Sequence, residues 1–182
     1  HKPDRRQRQM CIRDSLGGRK IEAPAGNHTR PTTDRVREAV FNSLGSMGVI
    51  EGALVADLYA GSGAMGIEAM SRGAAHCTFI ENDRAALRVL NDNVANLGLN
   101  PATTIIQGSV ESHLHRLDAD IVIADPPYDA VDWNSMLLEL SVPLLVAEGS
   151  REIEAIGGWT TLKARRYGRT WVTILSRDGA SA

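Results

Sequence analysis

Asp125-Pro126-Pro127-Tyr128 gathers a carboxylate, two prolines and an aromatic ring within four residues. Successive prolines hold the backbone after Asp125 in a stiff, extended turn. A carboxylate, a fixed backbone carbonyl and a ring then face one small volume. That set suits a flat heterocycle with an exocyclic amino group: the ring stacks on Tyr128, while Asp125 and a carbonyl of Pro126 or Pro127 accept the amino hydrogens. An Asp-Pro pair alone would read equally well as a strand-ending turn with a solvated acid. The full four-residue set after an apolar run is rarer.

A second group begins at Asp57 and runs through Tyr59, Gly61, Ser62, Gly63 and Gly66. Its G-x-G-x-x-G spacing lets backbone approach a ligand closely and lets the following helix pack on its strand. A nicotinamide- or flavin-binding protein is the obvious rival. Asp57, however, precedes the first glycine by four residues, a longer loop than the dinucleotide fingerprint uses, so a ligand without a pyrophosphate fits better. An acid there could serve a cationic amino-acid moiety, through the loop or a bridging water. Glu81, 20 residues after Gly61 and followed by Asn82, is placed to accept both hydroxyls of a ribose. Gly108-Ser109-Val110 is a place for an adenine ring.

A third group is basic: Arg30, Arg35 and Arg37, with Thr32 between them, around the start of a helix. Arginines beside a helix N-terminus combine charge with free backbone donors, a common way to hold phosphate. A solvated amphipathic helix with a good cap would look the same.

These residues need elements to position them. Ala53–Leu58, Cys77–Glu81, Thr103–Gln107 and Ile121–Ala124 are short apolar runs that read as buried strands, each ending at a candidate site residue or just before one. Helices are expected from about residue 33, from Ala85 to Leu97, and from Trp133 to Val146 with a break near Pro143. Glu152–Ile156 alternates as a strand, and Trp159–Ala164 with Thr170–Leu175 reads as a hairpin. Strands alternating with helices predict an α/β doubly wound, mostly parallel sheet with an antiparallel hairpin at one edge.

The 182 residues suit a single domain, expected over 16–176, with tails at 1–15 and 177–182. Residues 1–15 lack apolar periodicity and read as disordered or foreign to the domain. Apolar residues make up 43% and charged residues 23%, no run is apolar over the roughly 20 residues a membrane helix needs, and no signal-peptide pattern opens the chain. A cytoplasmic monomer is expected, without membrane association. Cys11 and Cys77 form no metal-binding pattern, and no metal is expected. Net charge is −2, but half of the Lys and Arg residues fall in 1–40, an asymmetry that suits a phosphate-bearing partner at that end.

Taken together, Thr29–Ala39, Asp57–Glu68 and Asp125–Tyr128 resemble the bacterial family that methylates N2 of a guanine in small-subunit (16S) ribosomal RNA. The resemblance spans about residues 16–176, and the first motif is the specific one, since amino-methyltransferases in general share the other two. It implies a seven-stranded class I methyltransferase fold, Rossmann-like, with S-adenosylmethionine as donor. The implied substrate is 16S ribosomal RNA in a partly or fully assembled small subunit. The chain departs from the family pattern at Gly108-Ser109-Val110, where Gly-Asp-Ala is usual, and in the strand that usually precedes Gly17-Gly18. Rival readings are another methyltransferase with this motif, acting on adenine N6 or a glutamine amide, and an inactive RNA-binding assembly factor.

Overall fold

The computed structural model describes residues 9–11, 20–22, 31–127 and 131–179, with only the backbone described for 9–11, 20–22 and 31–33. Seven strands form one sheet: β3 (Leu54–Leu58), β4 (His76–Glu81), β5 (Thr103–Gln107), β6 (Ile121–Ala124), β7 (Leu144–Gly149), β8 (Trp159–Tyr167) and β9 (Thr170–Arg177), in the order β5-β4-β3-β6-β7-β9-β8. A separate antiparallel pair joins β1 (Gln9–Cys11) to β2 (Lys20–Glu22). The first five strands of the sheet run parallel, and β9 inserts antiparallel between β7 and β8.

Strand order reverses between β3 and β6, so the chain leaves their carboxyl ends in opposite directions and opens a crevice there. The register fixes what lines it. Asp57 pairs with Ile123 and Leu58 with Ala124, which sets the glycine loop after β3 beside Asp125-Pro126-Pro127 after β6. At the other end of the pair, Leu54 N–H donates to the Asp120 carboxylate at 2.8 Å and Asp120 N–H to the Leu54 carbonyl at 2.8 Å, locking this register.

Alternate residues of each strand face opposite layers. Val55, Phe79, Ile123, Val146 and Ile174 are buried against α1 (Pro31–Met47), α2 (Ala64–Ser71) and α3 (Arg84–Asn96). Ala56, Leu58, Ile80, Val122, Leu145 and Leu175 are buried against α4 (Trp133–Glu139) and the segment around Ile153 and Trp159. Each fully buried Leu, Ile or Phe stabilises the fold by about 1.5–3 kcal/mol of removed apolar surface. Helix starts follow local chemistry. Asp83 caps α3 by accepting the Ala85 and Ala86 N–H groups at 2.9 and 2.7 Å, and Asp132 caps α4 through Asn134 and Ser135.

Several expectations are corrected. The helix expected through Val146 ends at Glu139, and 144–146 belong to β7, a central strand buried on both faces. An apolar run with no alternation fits helix and parallel strand alike, and Pro143 separates the two elements here. Glu152–Ile156 is not a strand, because β9 occupies the place beside β7. Helix α1 begins at Pro31 rather than 33, since proline is well suited to a first helical turn. Within the stretch 1–15, Gln9–Cys11 form β1; the rest of it lies outside the described residues. At the other end β9 reaches Arg177, and Asp178 accepts from Thr160 Oγ1 at 2.7 Å.

Candidate active site

The loop from β3 to α2 is built on left-handed backbone: Tyr59, Gly61 and Gly63 have φ of 60°, 56° and 82°. Only glycine adopts this region without strain, so Tyr59 is the one non-glycine residue there among those described. Gly66 serves packing. A Cβ on it would lie 2.3 Å from Phe79 Cε1 and 2.5 Å from Cys77 Sγ, so the first turn of α2 sits directly on β4. Asp57 is 3% exposed and accepts the Gly66 N–H at 2.8 Å. Burial, with the nearby Asp125 and Glu81 charges adding, raises its carboxyl to about 8 against that amide bond.

Glu81 closes the same loop from the next strand. Its Oε2 accepts the Gly61 N–H at 2.7 Å, and its Oε1 accepts the N–H groups of Asn82 and Asp83 at 2.8 and 2.7 Å. A carboxylate has about four lone-pair directions, so one remains. The expected contact to two hydroxyls therefore requires a backbone amide to yield. Asn82 is exposed beside it. Ser62 holds the loop to α3, its carbonyl accepting from Asn93 Nδ2 at 3.0 Å. On the same side of the crevice, beyond the end of β5, the Ser109 hydroxyl donates to Ser112 Oγ at 3.1 Å, Val110 is buried, and Tyr59 Oη donates to Glu111 at 3.2 Å. Burial and the Glu111 charge push the Tyr59 phenol up. The structure thus brings Asp57, Tyr59, Gly61, Ser62, Gly63, Glu81 and Asn82 to the carboxyl ends of β3 and β4, with Ser109 and Val110 at the end of β5.

Asp125 and Pro126 follow β6 directly. The Asp125 side chain reaches solvent at the mouth of the crevice, yet surrounding protein strips enough water from its carboxyl to raise it to about 6. Tyr128 lies outside the described residues. On the β7 side Pro126 and Pro127 join Trp133, Glu148, Arg151 and Ile153 in a pocket of about 190 Å³. Sites for drug-sized ligands start near ~300 Å³, so this one is the size of a single small ring system.

Of the four expected phosphate-binding residues, Arg30 lies outside the described residues, as does the side chain of Thr32, whose backbone is in the first turn of α1. Arg35 is exposed. Arg37 corrects the expectation: it is 6% exposed and ion-paired to Asp34 Oδ1 at 3.0 Å and to Glu68 Oε2 at 3.5 Å. Helical spacing turns it toward α2 rather than toward solvent.

Glu148 and Arg151 are the site residues that sequence reasoning passed over. Leu144–Ala147 followed by Glu148 repeats the pattern of Ile121–Ala124 followed by Asp125, four apolar residues and then an acid at a strand's carboxyl end. Placing 144–146 in a helix hid it.

The family model described as "Conserved hypothetical protein 95" matches residues 12–176. The chain is 41% identical over 141 residues to Ribosomal RNA small subunit methyltransferase D of Escherichia coli (strain K12), spanning 76% of this chain and 67% of that protein. It is 35% identical over 185 residues to YlbH of Bacillus subtilis (strain 168), spanning 92% and 98%. The solved structure of yhhF from Escherichia coli matches it with a TM-score of 0.82 at 32% identity, over 95% of this chain and 100% of that one. With the sheet order of a class I methyltransferase and a match over nearly its whole length, the chain belongs to the Conserved hypothetical protein 95 family, that of the ribosomal RNA small subunit methyltransferases D.

Proposed function

We propose that this protein transfers a methyl group from S-adenosylmethionine to the exocyclic N2 of a guanine in small-subunit (16S) ribosomal RNA. The observation that carries the reading is the β3–β6 register, which sets the glycine loop and Asp57 beside Asp125-Pro126-Pro127 at the point where strand order reverses. The loop fits the donor: its left-handed glycines let backbone come close to a ligand, and Glu81 has a lone pair left for a hydroxyl. Asp57, Gly61, Gly63, Glu81 and Ser109 would hold it. S-adenosylmethionine supplies, when bound, a methyl group made electrophilic by its sulfonium.

The remaining work falls to the chain's own residues. A guanine amino group is a poor nucleophile because its lone pair is delocalised into the ring, so the base must leave its stack and be held by acceptors. Asp125 and the Pro126 or Pro127 carbonyl would accept the two amino hydrogens, drawing the nitrogen toward tetrahedral geometry. Positive charge develops on that nitrogen during transfer, and the Asp125 carboxylate stabilises it more in the transition state than in the ground state. The nitrogen's proton then leaves to Asp125 or to water. The stacking role proposed for Tyr128 rests on its place in the sequence. Arg30, Thr32 and Arg35 would meet RNA phosphates at the start of α1; Arg37 is withdrawn from that set. The relative named a small-subunit ribosomal RNA methyltransferase supports the substrate class.

Methyl-labelled donor, incubated with small-subunit particles from cells lacking this protein, should label 16S RNA, and nucleoside mass spectrometry should recover N2-methylguanosine. Label in adenosine, or in protein, would overturn the reading.

A further inference from the structure

The last hairpin gathers its cations at one end. Residues 159–171 hold Lys163, Arg165, Arg166 and Arg169 and no acid, although acids outnumber basic residues over 41–182 as a whole. All four are exposed, and none makes an ion pair with any described residue. Charges on an edge strand such as β8 can serve simply to prevent pairing with another chain. Here they are not spread along the edge: Thr160, Thr161 and Leu162 are exposed and uncharged, and a bulge between Thr161 and Lys163 already interrupts the edge there. The register shows where the charged end lies. Ala124, Ala147, Thr173 and Ala164 form one row across β6, β7, β9 and β8. Asp125 and Arg165 each follow that row by one residue, three strand spacings or about 14 Å apart. Arg166 pairs with Trp171 and Tyr167 with Thr170 farther along, so the hairpin turn rises on the same edge of the sheet as Asp125-Pro126-Pro127. The turn is tightly built. Gly168 opens it with φ of 62°, Arg166 Nε donates to the Gly168 carbonyl at 2.9 Å, and the Arg165 guanidinium lies 5.4 Å from the centre of the Tyr167 ring. Helix α1 reaches this edge too. It runs parallel to α2, as the contacts of Arg37 with Glu68 and of Arg72 with Phe41 require, and Lys163 Nζ ties β8 to it by donating to Ser43 Oγ at 2.7 Å. From that tie the strand climbs about 13 Å to Tyr167 and the helix about 12 Å to Arg35.

We infer that the tip of the β8–β9 hairpin is a second RNA-contacting surface, where Arg165, Arg166 and Arg169 hold phosphates of nucleotides flanking the target. This rests on the ribosomal RNA reading above and adds to it a surface on the far side of Asp125 from the glycine loop. Guanidinium forks match phosphate oxygens two at a time, and the terminal nitrogens of Arg165 and Arg166 have no acceptor among the described residues. Tyr167 and Trp171, both half-buried, set ring surface among these cations. An acidic protein surface would also be drawn to the charge, but cations interleaved with aromatic rings suit a nucleic acid strand, whose backbone takes the one and whose unpaired bases take the other. Together with Arg35 the tip forms a cationic border at this edge of the sheet, which holds the strand while the target base turns toward Asp125.

The test measures binding of the full chain to naked 16S RNA, and to small-subunit particles from cells lacking the protein, over a range of salt. R165A/R166A/R169A should reduce the slope of log affinity against log salt by about two units on both, at roughly 0.7 per phosphate contact to a single strand. Lysine in all three places keeps the charges and should restore the slope. K163A removes a cation lower on the strand and should leave it unchanged. The three arginines are exposed, so their loss leaves the fold intact. In methylation assays the triple alanine variant should raise KM for particles about tenfold or more, with kcat within about twofold and donor affinity equal to the wild type's. A wild-type salt slope in that variant on both substrates would overturn the inference. So would a loss on particles alone, which would assign the tip to a ribosomal protein instead of RNA. A slope lost in the variant, while the wild type labels something other than guanine N2, upholds the surface and defeats the guanine reading.

Discussion

Asp57 Oδ2 accepts the Gly66 N–H at 2.8 Å, joining the end of β3 to the first turn of α2 through a buried, uncharged-leaning acid. The bond does structural work: it fixes the arc of the glycine loop. A carboxyl raised from its ordinary value to about 8 binds its proton more tightly when folded. Its contribution to stability is therefore full below about pH 4 and lost as pH rises through about 8. Asp57→Asn keeps an oxygen for Gly66 and removes the titration. In urea unfolding the variant should gain on the wild type by about 1–3 kcal/mol between pH 5 and pH 8. A pH-independent difference would mean that Asp57 is charged in the folded protein.

Gly66→Ala should cost about 1–3 kcal/mol through overpacking, because the added carbon meets the Phe79 ring and Cys77 sulfur in a filled interior. Gly98→Ala is the control. It has φ of 70° and open space around it, so backbone strain of about 1–2 kcal/mol is the only cost. Denaturation midpoints of the two proteins would show the difference, and donor affinity should drop for Gly66→Ala alone.

Glu81→Ala removes the acceptor for three backbone amides as well as a donor contact. Donor affinity measured by calorimetry should fall roughly tenfold or more, at about 1.5–3 kcal/mol for a hydrogen bond to a charged group. An affinity equal to the wild type's would remove Glu81 from the donor site and leave it as a loop clasp.

Arg35 and Arg37 should separate cleanly. Arg35→Ala, at an exposed position, should leave stability within about 0.5 kcal/mol and reduce the slope of log RNA affinity against log salt by somewhat under one unit. Arg37→Ala breaks its contacts to Asp34 and Glu68 and should destabilise by about 1–3 kcal/mol, with the salt slope unchanged. Glu68 retains Arg72 at 2.7 Å, which keeps the loss below that of a fully orphaned buried charge.

Asp125→Asn should lower single-turnover methylation about 10²- to 10³-fold while donor affinity holds. The wild-type rate should rise with pH through about 6, as the Asp125 carboxyl ionises, and then level off. A near-normal rate in the variant would falsify the role and leave Asp125 a strand-ending acid.

The parallel core was legible because its strands are short apolar runs bounded by glycine, proline or acids. Leu54–Leu58, Thr103–Gln107 and Ile121–Ala124 stand as expected within a residue. Legibility failed where a strand is central and apolar throughout, as in Leu144–Ala147, since no periodicity distinguishes it from a buried helix. Residue types announced Asp57, Glu81 and Arg37, but not which partners would claim them. Both acids hold backbone amides, and the arginine holds Glu68 on α2, all contacts set by tertiary packing.

Because β9 lies between β7 and β8, β7 presents a bare row of backbone donors and acceptors until residues 170–177 have been made. The acid at the end of that strand, Glu148, also lacks its neighbouring wall until then. During synthesis the growing chain therefore carries a long apolar strand edge open to any other nascent chain. Completion of the sheet, and with it of the pocket, waits on those residues, and chaperone demand should fall abruptly once they pair with β7.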